Sequence, residues 1–61
     1  MRVVHKDSGT EATVTGPNPC GLGEMIVQYD EGDASSEYIR DWTALEGGDE
    51  VLREFLLRGE R

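Results

Sequence analysis

The sequence is poor in cysteine, in long apolar runs and in basic residues, and each shortage excludes a class of protein. A single cysteine, Cys20, cannot form the internal disulfides that usually reinforce secreted domains of this size. No apolar run approaches the roughly 18 residues that span a membrane, and Met1–Lys6 lead into polar sequence rather than into a signal-peptide core. We therefore expect a cytoplasmic protein that does not associate with membranes.

Basic residues are scarce enough to restrict the class of partner. Six lysines and arginines stand against thirteen acidic residues, which gives a net charge of −7. Such a chain repels nucleic-acid phosphates, whereas nucleic-acid-binding proteins depend on basic surfaces. A nucleic-acid partner is therefore not expected, unless a local patch such as Arg2, His5 and Lys6 provides the contact. Where charge contributes to recognition, it favours basic partners.

The first part of the chain predicts a β-hairpin followed by a loop. Val3 and Val4 favour a strand over residues 2–6, and residues 10–15 alternate between apolar and polar side chains. The next segment, 16–23, contains two prolines and three glycines. This composition neither continues a strand nor begins a helix, so we predict an exposed loop between two hairpins.

The second hairpin has the strongest strand pattern in the sequence. Residues 24–29 form its first strand, 30–35 contain the turn and 36–40 return. The side chains expected on the inner face are Met25, Val27, Tyr29 and Ile39. Ile26 and Tyr38 are left on the outer face, where they need a cover.

A short C-terminal helix is predicted over residues 49–58, with Asp49 as its N-cap. Its apolar stripe consists of Val51, Leu52, Phe55 and Leu56, whereas Leu57 lies off the stripe. A helix this short is only marginally stable in isolation. We therefore expect it to dock on the outer patch of Ile26 and Tyr38, on an open barrel end or on another protein. Residues 41–46 are predicted to form one turn of helix before it, because Thr43 and Glu46 have capping-box spacing.

Four short antiparallel strands followed by a one-turn helix resemble the SH3-like small barrels. The segment Val27–Gly32, followed by Glu37–Ile39 and later by Leu45, resembles the Tudor-type branch of that group. The resemblance covers residues 2–46 and leaves the C-terminal helix outside.

The expected fold class is therefore mainly β. It is a small SH3-like or Tudor-like barrel of four to five antiparallel strands with a short C-terminal α-helix, and residues 1–61 form a single domain.

Tudor-like modules often bind methylated lysine or arginine through an aromatic cage. The resemblance implies that Tyr29, Tyr38 and Trp42 are the cage candidates, with Asp30 or Asp33 as the acidic partner. Cage-forming members usually place an aromatic residue in the first hairpin, and residues 1–24 contain none. The resemblance therefore implies the fold and a general role in binding proteins or nucleic acids rather than methyl recognition.

Chemical motifs are scarce, so we expect neither an enzyme nor a cofactor. Cys20 and His5 are the only thiol and imidazole, and Cys20 lies in a loop with no helix N-terminus to activate it. One cysteine and one histidine are too few for structural zinc. The acidic turn 30–33 lacks EF-hand spacing, and the loop 16–23 lacks the Gly-Lys-Ser/Thr of a phosphate loop. No catalytic residue and no metal site are predicted.

The leading functional hypothesis is a non-catalytic interaction module or regulatory subunit that binds a protein partner through an aromatic and acidic surface. The candidate partner-binding residues are Tyr29, Tyr38, Trp42, Asp30, Asp33 and Phe55. Trp42 has two interpretations: it closes one end of the barrel, or it joins Tyr38 as an exposed anchor. We favour the first. The C-terminal helix could also mediate homo-oligomerisation.

An alternative from another class is an acidic inhibitor or nucleic-acid mimic, for instance of phage origin, that occupies a basic groove. This alternative is based on the net charge of −7, which is high for a protein of 61 residues.

Overall fold

The computed structural model describes residues 1–59 as a five-stranded antiparallel sheet followed by one helix, so the protein is mainly β. The elements are β1 (Arg2–His5), β2 (Glu11–Pro17), β3 (Glu24–Gln28), β4 (Ala34–Tyr38), a 3₁₀ turn (Ile39–Asp41), β5 (Trp42–Ala44) and α1 (Gly48–Gly59). The strand order is β4-β3-β2-β1-β5. This arrangement is compatible with a small barrel-like fold.

The first hairpin is confirmed, but its second strand is longer than predicted. β1 pairs with β2, and Val3 faces Ala12 with both side chains buried. β2 then continues through Gly16 and Pro17, so the prediction of a loop beginning at Gly16 was wrong. The register shifts between Val14 and Gly16, and such a bulge lets proline end a strand without breaking the ladder. The loop therefore occupies residues 18–23.

The second hairpin is confirmed with a shifted return strand. The turn closes early, because the Tyr29 amide donates to the Asp33 carbonyl at 2.7 Å. β4 therefore begins at Ala34 and ends at Tyr38, whereas residues 36–40 were predicted. Ile39 does pack against the core as expected, but from the 3₁₀ turn rather than from a strand.

The helical turn predicted over residues 41–46 was wrong. Trp42–Ala44 form β5, which pairs with β1 so that His5 faces Trp42 and Val3 faces Ala44. This pairing satisfies the backbone hydrogen-bonding groups on the edge of β1 that does not face β2, and it buries both Trp42 and Ala44. These tertiary gains outweigh a local capping signal that is worth about 1 kcal/mol.

The C-terminal helix packs on its own sheet, mainly against β5 and β2. The predicted stripe is confirmed: Leu52 and Leu56 are buried, and Val51 and Phe55 pack half-buried against the core. The helix begins at Gly48, one residue before the predicted start. It does not cover Tyr38, which remains 53% exposed.

The core lies between the inner face of the sheet and the helix. Its buried side chains are Val3, Ala12, Val14, Met25, Val27, Trp42, Ala44, Leu52 and Leu56. No described side chain has a buried polar atom without a hydrogen-bond partner. Among the described residues, no helix is long and apolar enough to cross a membrane.

Candidate partner-binding surface

Trp42, the most prominent sequence candidate, belongs to the core. Only 2% of the residue is exposed, and its indole N–H donates to a carboxylate oxygen of Glu37 at 3.4 Å. The His5 ring meets the indole in a T-shaped contact with 5.1 Å between ring centroids. Trp42 therefore closes one end of the fold, as the favoured interpretation held, and does not present an anchor to solvent.

Tyr29 and Glu37 complete this end of the core. The Tyr29 ring lies 6.3 Å from Trp42, and its hydroxyl donates to Glu37 at 3.3 Å. The Ser35 hydroxyl donates to the same carboxylate at 2.8 Å. Burial, followed by the negative charge of Glu37, raises the pKa of Tyr29. Glu37 thus organises three donors, a structural role that was not predicted because it depends on the β3–β4 register.

Tyr38 lies on the other face of the sheet. Successive side chains of a strand alternate, and Glu37 faces Trp42, so Tyr38 points away from it. The Arg40 guanidinium sits over the Tyr38 ring at 5.0 Å from its centroid. Tyr29, Tyr38 and Trp42 therefore do not converge into the cage that the resemblance implied.

The remaining three sequence candidates have separate surroundings. Asp30 accepts two hydrogen bonds from Arg2, at 2.7 and 3.2 Å, and this pairing lowers the pKa of Asp30. Asp33 is exposed in the turn and forms no ion pair with another described residue. Phe55 is half-buried against the core. Asp30, Asp33 and Tyr38 are thus the three candidates exposed on the surface, and of these Asp30 is engaged by Arg2.

The structure adds a groove that no sequence pattern indicated. It has a volume of about 1190 Å³, is open to solvent, and runs between the loop 18–23 and the C-terminal half of α1. Residues 38–40 connect the two sides, and Arg53, Leu56 and Leu57 line the helical side.

The loop side of the groove is tied to the sheet. The Asn18 amide side chain donates to Ser36 Oγ at 2.8 Å, and its carbonyl oxygen accepts the Cys20 backbone amide at 3.0 Å. At the other end of the loop, the Ile39 amide donates to the Gly23 carbonyl at 2.9 Å. These bonds hold the loop against β4 and fix one wall of the groove.

Three exposed apolar side chains from three different elements border this groove. Leu22 is fully exposed, and Leu57 and Tyr38 are 58% and 53% exposed. The position of Leu57 off the helical stripe predicted its exposure. Leu22 was missed, because a leucine within a proline- and glycine-rich loop belongs to no periodic pattern.

The groove also contains the two described arginines that form no ion pair with a described acid. Three described bases form ion pairs: Arg2 with Asp30 and Glu11, Lys6 with Asp49, and Arg58 with Glu54. Neither Arg40 nor Arg53 pairs with a described acid within 4.0 Å, and both line the groove. Among the described residues the groove has one carboxylate, that of Glu24, and it accepts the Ser36 hydroxyl at 2.7 Å. The groove is therefore locally positive on a chain whose net charge is −7.

The side chains with potential metal-binding or nucleophilic chemistry are dispersed among the described residues. They contain no group of three or more His, Cys, Asp and Glu side chains that could hold a metal ion. Cys20 lines the groove, whereas His5 packs on Trp42 and is not part of that lining.

Comparisons with protein-family models, curated proteins and solved structures found no match to this chain.

Proposed function

We propose that this protein is a non-catalytic interaction module that docks a segment of a protein partner in the groove beside α1. The observation that carries the proposal is the convergence of Leu22, Tyr38 and Leu57 along one groove. Exposed apolar side chains scattered singly need no explanation, but a cluster beside a concave surface is typical of a docking site. Because the loop wall is already tied to β4, binding would cost little ordering entropy.

The proposal includes a finer fold class, an SH3-like barrel. Its support is the meander of β1 to β4 followed by a single 3₁₀ turn, the order that the sequence resemblance implied. The position of Trp42 in the core argues for docking through the groove rather than through an aromatic cage.

A non-catalytic role is supported by how the candidate chemical groups are used. The carboxylate of Glu37 is occupied by three donors from Tyr29, Ser35 and Trp42. His5 Nδ1 accepts the backbone amides of Asp7 and Ser8 at 3.2 and 3.3 Å. Groups held in this way stabilise the fold and are not placed to activate a nucleophile.

The test is a selection of peptides from a phage-displayed random library on the immobilised protein. Selected peptides are then titrated by fluorescence anisotropy against Leu22→Ser and Leu57→Ser. Both leucines are exposed, so these changes should alter stability by no more than about 0.5 kcal/mol. We expect each to weaken binding strongly.

Leu45→Ser is the matched control, because Leu45 is also about half exposed (48%) but does not line the groove. It should bind like the wild type. Failure to select any peptide, or equal loss of binding in all three variants, would exclude the groove as the docking site.

The second candidate is an acidic inhibitor or nucleic-acid mimic, which the net charge of −7 favours. Its carboxylates would occupy a basic groove on an enzyme, so its complexes should weaken steeply as salt screens the charges. Docking through Leu22 and Leu57 should weaken far less. A salt titration of any stable complex therefore separates the two functions.

A further inference from the structure

The charge of the groove indicates which charge its binding partner should carry. The net charge of the chain favours basic partners, but the groove carries two arginines against one glutamate, and that glutamate already accepts a hydrogen bond. Local charge decides recognition at a docking site, because charges farther than about 8–10 Å are largely screened at physiological ionic strength.

Arg40 and Arg53 are neighbours as well as groove residues. Both also line a small adjoining depression of about 70 Å³, together with Lys6 and Asp49. Asp49 is held by Lys6 at 3.2 Å. Its pKa is lowered first by a hydrogen bond with Thr43 and then by one with Lys6, and the charge of Arg53 contributes least. Asp49 is therefore engaged mainly by Thr43 and Lys6 rather than by Arg53.

The two arginines stand beside the exposed apolar side chains. Arg40 lies over the Tyr38 ring, and Arg53 is on the same helix as Leu57, one turn before it. A guanidinium held over an aromatic ring keeps its edge N–H groups available for a carboxylate. The surface thus offers apolar contact and two cationic groups within one groove.

We infer that the groove binds an acidic segment of a protein partner, in which apolar side chains contact Leu22, Tyr38 and Leu57 while carboxylates pair with Arg40 and Arg53. This inference rests on the proposed docking function. It predicts a partner segment whose charge has the same sign as the net charge of the whole chain. Such a partner would associate slowly at low salt, because overall repulsion opposes encounter, and would then be held by local attraction.

The experiment compares peptides selected from the same random library on the wild type and on the variant Arg40→Glu/Arg53→Glu. The wild type should enrich aspartate and glutamate beside apolar residues, and the variant should enrich lysine and arginine instead. For a selected acidic peptide, Arg40→Gln and Arg53→Gln should each weaken binding about two- to fivefold, the usual range for one exposed ion pair. Peptides in which amides replace the carboxylates should lose this sensitivity.

Arg58→Glu is the matched control. Arg58 is on the same helix, its side chain is 81% exposed, it pairs with Glu54 and it does not line the groove, so its reversal should leave the selected composition unchanged. Circular dichroism should show the same fold for all variants.

The outcomes distinguish the two proposals. Apolar peptides that are sensitive to Leu57→Ser but show no acidic enrichment would overturn the inference and leave the docking function standing. Enrichment of basic residues on the wild type would also overturn it, as would tighter binding of a short single-stranded oligonucleotide than of the selected peptides. Loss of all selection would overturn both.

Discussion

At the scale of single residues, the contact between Trp42 and Glu37 decides how the end of the core is held. Trp42→Phe removes the indole N–H donor, while Tyr29 and Ser35 continue to satisfy the carboxylate. We expect a loss of about 1–2 kcal/mol in the free energy of unfolding. Trp42→Ala should cost about 3–5 kcal/mol. Since a chain of 61 residues has a total stability of only about 3–9 kcal/mol, that variant should lose a large part of it.

Urea denaturation followed by far-UV circular dichroism measures both losses. A double-mutant cycle with Glu37→Gln isolates the pair. Additive effects of Trp42→Phe and Glu37→Gln would contradict a direct interaction between the two side chains.

The pair of Arg2 and Asp30 predicts a pH dependence. Hydrogen bonds from Arg2 lower the pKa of Asp30 below its ordinary value of 3.8 in the folded chain. The pair therefore stabilises the fold fully above about pH 4 and loses its contribution as the pH falls through the lowered pKa. Asp30→Asn should have a lower urea midpoint than the wild type at neutral pH, and the difference should shrink on acidification.

Asp33→Asn is the control for this titration. Asp33 lies in the same turn and forms no ion pair with a described residue, so no shrinking difference is expected. A difference between wild type and Asp30→Asn that stays constant down to about pH 3 would show that the asparagine acts through local packing instead.

At the scale of elements, Gly47 determines how α1 leaves the sheet. Its φ is +101°, and a Cβ at this position would overlap the Val51 side chain at the start of the helix. Gly32 in the β3–β4 turn has a similar φ of +109°, but a Cβ there would meet nothing within 4 Å. Gly32→Ala should therefore cost about 1–3 kcal/mol of backbone strain, and Gly47→Ala should cost more because of the clash.

Thermal unfolding of the two variants gives the comparison directly. Equal destabilisation of the two variants would mean that α1 shifts to accommodate the methyl group of Gly47→Ala. This result would contradict the predicted clash with Val51.

Elements with a clear period could be predicted from the sequence. The alternation at Glu24–Gln28 and the stripe from Val51 to Leu56 located β3 and α1, because burial imposes the period locally. β5 could not be predicted, since three residues show no period and their strand exists only through pairing with β1. The extension of β2 through Pro17 likewise depends on a bulge that only the pairing reveals.

The candidate site was predictable only where exposure follows from a period. Tyr38 and Leu57 lie off an apolar face, and the sequence shows this. The contributions of Leu22, Arg40 and Arg53 arise when the loop, the 3₁₀ turn and the helix come together. No local signal encodes that juxtaposition.

At the scale of the whole molecule, the charge of the groove differs in sign from the net charge of the chain. The chain as a whole has a net charge of −7, while Arg40 and Arg53 leave one groove locally positive. The molecule measures only 28 × 24 × 16 Å, so its carboxylates lie within two or three Debye lengths of one another at low salt. Repulsion among them destabilises the folded state, which packs the charges closer than the unfolded chain does.

Salt should therefore stabilise this protein at neutral pH. Raising NaCl from about 0.05 to 0.5 M shortens the Debye length from more than 10 Å to less than 8 Å, so screening reduces the repulsion. The ion pairs weaken at the same time, but they are exposed and contribute little each. Repulsion dominates with thirteen acids against six bases, so we expect Tm to rise by several degrees.

The control is the same titration near pH 4.4, the sequence pI, where net repulsion vanishes and the rise in Tm should disappear. A Tm that falls with salt at pH 7 would mean that the pairs of Arg2 and Lys6 outweigh the excess charge. The variant Arg2→Gln removes the ion pairs of Arg2 and raises the net negative charge, and both changes should make its Tm respond more positively to salt than that of the wild type.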